Sequence, residues 1–212
     1  MKKTFIFVAS ALLVLSSCTS QNAPKESSSS VRSAIEVIQS RKSVRSFTSE
    51  PVSDADIETI LRCAMSAPSG MDVRPWRFVV VKDPDAIKAV AGPRGGFIAT
   101  APVVIVVCGE TTFTQRPRPG EEDSAPRVVP NGNWTADCAA AAENLLLAVE
   151  ALGLGATWTA CYPYEERMST VREALGLPDN VSPYNVIPIG HPDGNFTPKD
   201  KWNPENIHIN KW

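Results

Sequence analysis

The stretch Arg41-Lys42-Ser43-Val44-Arg45-Ser46 sets three cations among hydroxyls directly after an apolar-periodic segment. Guanidinium forks match the oxygens of a phosphate monoester, lysine adds a point charge, and serine hydroxyls complete the donor set. Cations at a helix C-terminus also complement the helix dipole, so this stretch alone leaves both readings open. Two other segments carry related chemistry. In Ala67-Pro68-Ser69-Gly70, proline and glycine bracket a serine, so that a hydroxyl and backbone N–H groups stand free of any strand ladder. Pro198-Lys199-Asp200-Lys201 adds a pair of cations near the C-terminal end.

Other chemistries find little support. GxGxxG is absent, as is GxxxxGK followed by serine or threonine, so neither a dinucleotide fingerprint nor a P-loop is indicated. His191 and His208 are the only histidines and no CxxC spacing occurs, which argues against a zinc site and leaves no metal expected. Cys63, Cys108, Cys138 and Cys161 lie far apart in apolar or helical patterns, and buried free thiols are expected rather than a disulfide framework. The net charge of −2 argues against bulk binding to nucleic-acid backbones, which takes a strongly basic face.

The elements that must position these residues follow from periodicity. Val31, Ala34, Ile35 and Ile38 form an apolar stripe expected to pack on a core and to end near Arg41. Ser53 and Asp56 have capping-box spacing ahead of Ile57, Ile60, Leu61 and Ala64, which predicts a second helix and makes the cationic stretch an inter-helix segment. Strands are expected at Trp76 to Val81, Val103 to Val107, Thr157 to Cys161 and Tyr184 to Ile189. Further helices are expected at Asp83 to Ala91, Trp134 to Leu152 and Glu165 to Leu175, the last closed by Gly176. Between Thr111 and Pro130 the pattern gives way to prolines and charges, which reads as a long surface loop. With 43% hydrophobic and 21% charged residues, the order implies one α+β domain, a sheet sandwiched by helices. The last 22 residues lack periodicity yet hold Trp202, Ile207, Ile209 and Trp212, so this tail is expected to dock on something.

Residues 1–30 read differently. Lys2 and Lys3 precede an apolar run from Phe5 to Leu15, too short to span a membrane stably and typical of an export signal. Leu15-Ser16-Ser17-Cys18 resembles a bacterial lipoprotein box. The expectation is a signal peptide over 1–17, a lipidated Cys18 with a serine-rich tether over 18–30, and a domain over 31–212, exported and anchored to a bacterial membrane through lipid. A plain secreted protein is the alternative.

The order of the pieces resembles the flavin-dependent nitroreductase family: an Arg-x-Ser-x-Arg segment after the first helix, a Pro-Ser turn leading through Pro-Trp into a strand, and a cationic tail. The resemblance covers roughly Val31 to Trp212. It implies a nitroreductase-like α+β fold with a central mixed sheet, and a homodimer in which each tail extends over the other subunit and FMN sits at the interface. Arg41, Lys42, Ser43 and Arg45 would then hold the FMN phosphate and ribityl chain, with Lys199 and Lys201 closing from the tail. Pro68, Ser69, Gly70 and Asp72 would come from the other subunit. Asn144 and the Gly153-Leu154-Gly155 turn match more weakly, and a structural hydrogen bond is an equal reading for Asn144, with Asp137 on the same helical face. Backbone N–H groups near Glu165 and Glu166, at a helix start, would meet the flavin N5. Asp72 and Arg74 depart from the family's usual Asn and Gln. The resemblance implies two-electron, ping-pong reduction of small acceptors such as nitroaromatics or quinones, with NAD(P)H or another donor and no catalytic side chain. A non-enzymatic electron-relay lipoprotein is the second reading.

Overall fold

The computed structural model describes residues 32–93, 95–117, 120 and 125–212. The signal, Cys18 and tether expected over 1–30 lie outside these. Along the described chain run α1 (Ala34–Ser40), α2 (Asp54–Met65), β1 (Trp76–Val81), α3 (Pro84–Ala91), β2 (Val103–Glu110), β3 (Thr112–Gln115) and β4 (Arg127–Pro130). Then follow α4 (Trp134–Ala151), β5 (Gly155–Ala156), β6 (Thr159–Ala160), α5 (Glu165–Leu175) and β7 (Val181–Gly190).

β2 organises the core. It is buried on both faces, so alternate side chains serve opposite layers. Val103, Ile105 and Val107 face one cluster with Ile57, Ile60 and Ala64 of α2 and Ala141, Ala142 and Leu145 of α4. Val104, Val106 and Cys108 face the other, with Ile87 and Val90 of α3 and Val171 of α5. The result is the expected helix–sheet–helix sandwich. The sheet runs β1-β2-β7-β5, with β6 also on β7. All of these pairings are antiparallel, and among the described residues the parallel component implied by a mixed sheet is confined to one isolated bridge, Ser43 with Ala156. That bridge matters, because it seats the cationic segment on the sheet edge.

Local signals held where a cap and a stripe agreed. The Ser53 side chain accepts from the Asp56 N–H at 3.0 Å and starts α2, and Gly176 adopts φ 60° to close α5. Three expectations need correction. Ile35 and Ile38 are 67% and 57% exposed, and only Val37 of α1 is buried, so the stripe faces away from this core. The segment 111–130 is not structureless: β3 and β4 form an antiparallel ribbon with Thr112 opposite Pro130 and Gln115 opposite Arg127. The single strand expected over Thr157 to Cys161 is instead two short strands on β7, interrupted at Thr157-Trp158.

Candidate functional site

The cationic segment is held by its apolar members. Val44 and Phe47 are buried, while Ser43, Arg45 and Ser46 between and beside them are exposed. The Val44 N–H donates to the Ala156 carbonyl at 2.9 Å, and two backbone bonds join the segment to the start of the tail, from the Thr48 N–H to the His191 carbonyl at 2.9 Å and from the Asp193 N–H to the Ser46 carbonyl at 3.0 Å. Close approach at β5 depends on Gly155, whose added Cβ would fall 2.7 Å from Val44 Cγ1. So the segment leaves Ser43 and Arg45 outward on a fixed backbone.

Its cations differ in how firmly they are engaged. Arg41 Nε lies 3.2 Å from Glu143 Oε1, whose side chain is 47% exposed. Lys42 Nζ lies 3.1 and 3.2 Å from the two oxygens of Glu150, whose side chain is only 7% exposed. Arg45 has no carboxylate partner among the described residues and rests over the Phe97 ring at 6.0 Å.

Phe97 leads to a cavity of about 150 Å³ between the end of α3, β6 and the start of α5. Gly92, Pro93 and Gly95 form one wall, and Thr159, Cys161, Glu166 and Arg167 contribute to the others. Thr159 lines this cavity, and its buried Oγ1 has no hydrogen-bond partner among the described residues. Tyr164, the residue capping α5, makes no side-chain bond to the helix's first turn, as a backbone donor site would require. Glu165 and Glu166 are exposed at that turn. Sequence reasoning had named Glu166 but missed Gly92, Pro93, Gly95 and Thr159. The Gly-Pro-Arg-Gly-Gly run after α3 was the available signal, since it breaks a helix with residues that leave backbone accessible.

The Pro68–Asp72 turn is placed elsewhere in this chain. The Gly70 N–H donates to Asp137 Oδ1 at 2.9 Å, which ties the turn to the first turn of α4. Lys42 is anchored by Glu150 in the last turn. At ~1.5 Å per residue these anchors are about 20 Å apart along the helix. Gly70 also has a packing reason, because a Cβ there would fall 2.5 Å from Asn133 Nδ2. The Ser69 hydroxyl accepts from the Arg74 N–H at 3.1 Å. Arg74 and Asp72 pair through two bonds of 2.6 and 2.5 Å, and the hydrogen bond from Arg74 holds the Asp72 carboxyl below its ordinary range. Met71, Asp72 and Arg74 all take left-handed φ of 52–54°, a strain that loops retain at functional positions. Pro68 is exposed beside them.

Asn144 Nδ2 donates to the Cys63 carbonyl at 3.1 Å, the structural role that had been the equal reading. Lys199 and Lys201 are exposed on the tail, as are Trp202, Ile207, Ile209 and Trp212. Within one chain the tail is held as far as Phe196, which packs on the core, and is exposed from Lys199 onward. Cys63, Cys108, Cys138 and Cys161 are free thiols. Burial pushes the Cys108, Cys138 and Cys161 thiols up to about 12, so these three are protonated and unsuited to nucleophilic work.

Comparison with known proteins adds the family. The model described as "Nitroreductase family" matches residues 38–94 and 91–191. The chain belongs to the nitroreductase family. A protein of Archaeoglobus fulgidus named "Putative NADH dehydrogenase/NAD(P)H nitroreductase" is 37% identical over 183 residues, covering 84% of this chain and 98% of its own. A crystal structure of the same name from Bacteroides thetaiotaomicron shares 42% identity and a TM-score of 0.74, over 85% of this chain and 99% of that one. An "FMN reductase (NADPH)" of Bacillus subtilis is 25% identical over 170 residues, covering 76% of this chain and 67% of its own length. The fold of nitroreductase family members thus accounts for the sandwich described above.

Proposed function

We propose that this member of the family is an FMN-dependent oxidoreductase, with FMN bound at an interface between two copies of the chain. The observation that carries the reading is an outward Arg45, on a segment seated by the Ser43–Ala156 bridge, set over Phe97 beside the cavity between α3, β6 and α5. These residues fit a flavin phosphate at one end and a polar ring edge at the other. Arg41, Ser43 and Arg45 would hold the phosphate and ribityl chain, Thr159 and the α5 start would meet the ring, and Lys199 and Lys201 would close from a tail. A second copy would bring its own Pro68, Ser69, Gly70 and Asp72, which the separation along α4 keeps away from the cationic segment within one chain.

FMN, when bound, supplies two-electron transfer from a donor such as NAD(P)H to a small acceptor such as a nitroaromatic or quinone, in ping-pong order. The chain's part is to bind, orient and exclude water, and no side-chain nucleophile is needed. The chain from Thr19 onward should purify yellow and release stoichiometric FMN on denaturation. Colourless protein that fails to bind added FMN overturns the reading. Pre-reduced protein should turn over a nitroaromatic or a quinone, whereas clean flavin binding without turnover would favour an electron relay.

The proposal extends to location. A lipid on Cys18 would hold the domain at the outer side of the cytoplasmic membrane or at the outer membrane, with two or more acyl chains giving durable attachment at about 0.8 kcal/mol per buried methylene. A fatty-acid analogue fed to cells should label the wild-type chain and not Cys18→Ala. An unlabelled wild type would leave a secreted enzyme.

A further inference from the structure

Glu150 occupies a place where an acid is poorly tolerated. It lies in the last turn of α4, where unpaired carbonyls concentrate negative partial charge, and it is 6% exposed. A buried carboxylate persists when charges and donors surround it. Here they all come from one stretch of chain. Arg32 Nη1 donates to Oε1 at 3.0 Å, Ser40 Oγ at 3.1 Å, and Lys42 Nζ donates to both oxygens. Arg32 Nη2 also donates to the main-chain carbonyl of Glu150. One carboxylate thus gathers residues 32–42 immediately before Ser43 and Arg45.

We infer that Glu150 is a positioning residue for the phosphate end of the flavin site, acting through Lys42, and that Lys42 itself does not touch the phosphate. The inference rests on the FMN reading above. Its physical basis is the contrast between two neighbouring pairs on α4. Arg41 and Lys42 are about equally covered, at 21% and 24% exposed, but Glu143 is 47% exposed, so that pair is screened and Arg41 can exchange it for an arriving phosphate. Glu150 is only 7% exposed, so pulling Lys42 away would leave its buried carboxylate to Arg32 and Ser40, with no donor to Oε2 among the described residues. Lys42 therefore fixes the backbone that presents Ser43 and Arg45, and Glu150 fixes Lys42.

The test is a double-mutant cycle on FMN binding with Lys42→Met and Glu150→Gln, with riboflavin titrated in parallel. Riboflavin shares the ring and ribityl chain but lacks the phosphate. Each single variant should weaken FMN about tenfold, and the double variant should be no weaker than either, because one shared interaction is lost. Riboflavin affinity should stay within about twofold in all of them, which a general loss of structure would not allow. Additive losses in the double variant would mean that Lys42 meets the phosphate independently, and the inference fails. Should Glu150→Gln not fold, Lys42→Met alone decides through ionic strength. Its FMN affinity should keep the wild-type salt dependence, and a dependence flattened as in Arg45→Met overturns the inference. Wild-type protein that binds no FMN overturns the functional reading instead.

Discussion

Replacing Arg41 and Arg45 together with alanine should weaken FMN binding by about a hundredfold to ten-thousandfold, since charge-assisted hydrogen bonds contribute about 1.5–3 kcal/mol each. The lower half of that range is expected, because Arg41 exchanges its Glu143 partner for the phosphate rather than leaving water alone. Arg45 starts without a carboxylate partner among the described residues, so its contribution is the less diminished. Fold stability should change little, as neither side chain is buried in the core and Val44 and Phe47 keep the segment seated. Fluorescence titration of added FMN, with circular dichroism as the folding control, measures both. Full affinity in the double variant would mean that these cations merely decorate a helix end.

What could be read in the sequence was whatever a short stretch decides for itself. Ser53 caps α2 because its hydroxyl reaches an N–H three residues on, and β2 announces itself by a continuous β-branched run that no exposed strand would tolerate. β3 and β4 escaped because four-residue strands carrying Thr, Gln and Arg have no apolar alternation to detect. α1 shows a different limit. Periodicity chose the face of Ile35 and Ile38 for the core, whereas α1 buries Val37, off that stripe.

The site divides along the same line. Arg41, Ser43 and Arg45 stood out as a candidate set because their chemistry is local. The cavity was not, since Gly92, Thr159 and Glu166 meet only through the packing of α3, β6 and α5. Nor was the partner of Lys42, because Glu150 lies on another element and becomes its neighbour only when α1 packs on α4. The same holds for Gly70, whose sequence context suggested a ligand and whose surroundings show close contact with Asn133.

Deleting the chain after Thr197 should separate the two copies and release the flavin. The cut spares His191 and Asp193, whose backbone bonds to Thr48 and Ser46 steady the cationic segment, and Phe196, which packs on the core. It removes Trp202, Ile207, Ile209 and Trp212, which are 73%, 52%, 80% and 100% exposed in the single chain. Each such side chain contributes about 1.5–3 kcal/mol when fully buried, so leaving all of them in water forgoes a large stabilisation that a second copy can supply. Ile35 and Ile38 on α1 add to the same unsatisfied apolar surface. Light scattering after size exclusion should show the intact protein as a dimer and the shortened one as a monomer, with its flavin lost on the column. Lys199→Ala with Lys201→Ala in the intact chain separates the two losses: the dimer should persist while FMN binds more weakly. A shortened chain that stays dimeric and yellow would show that the tail is not the arm joining the copies.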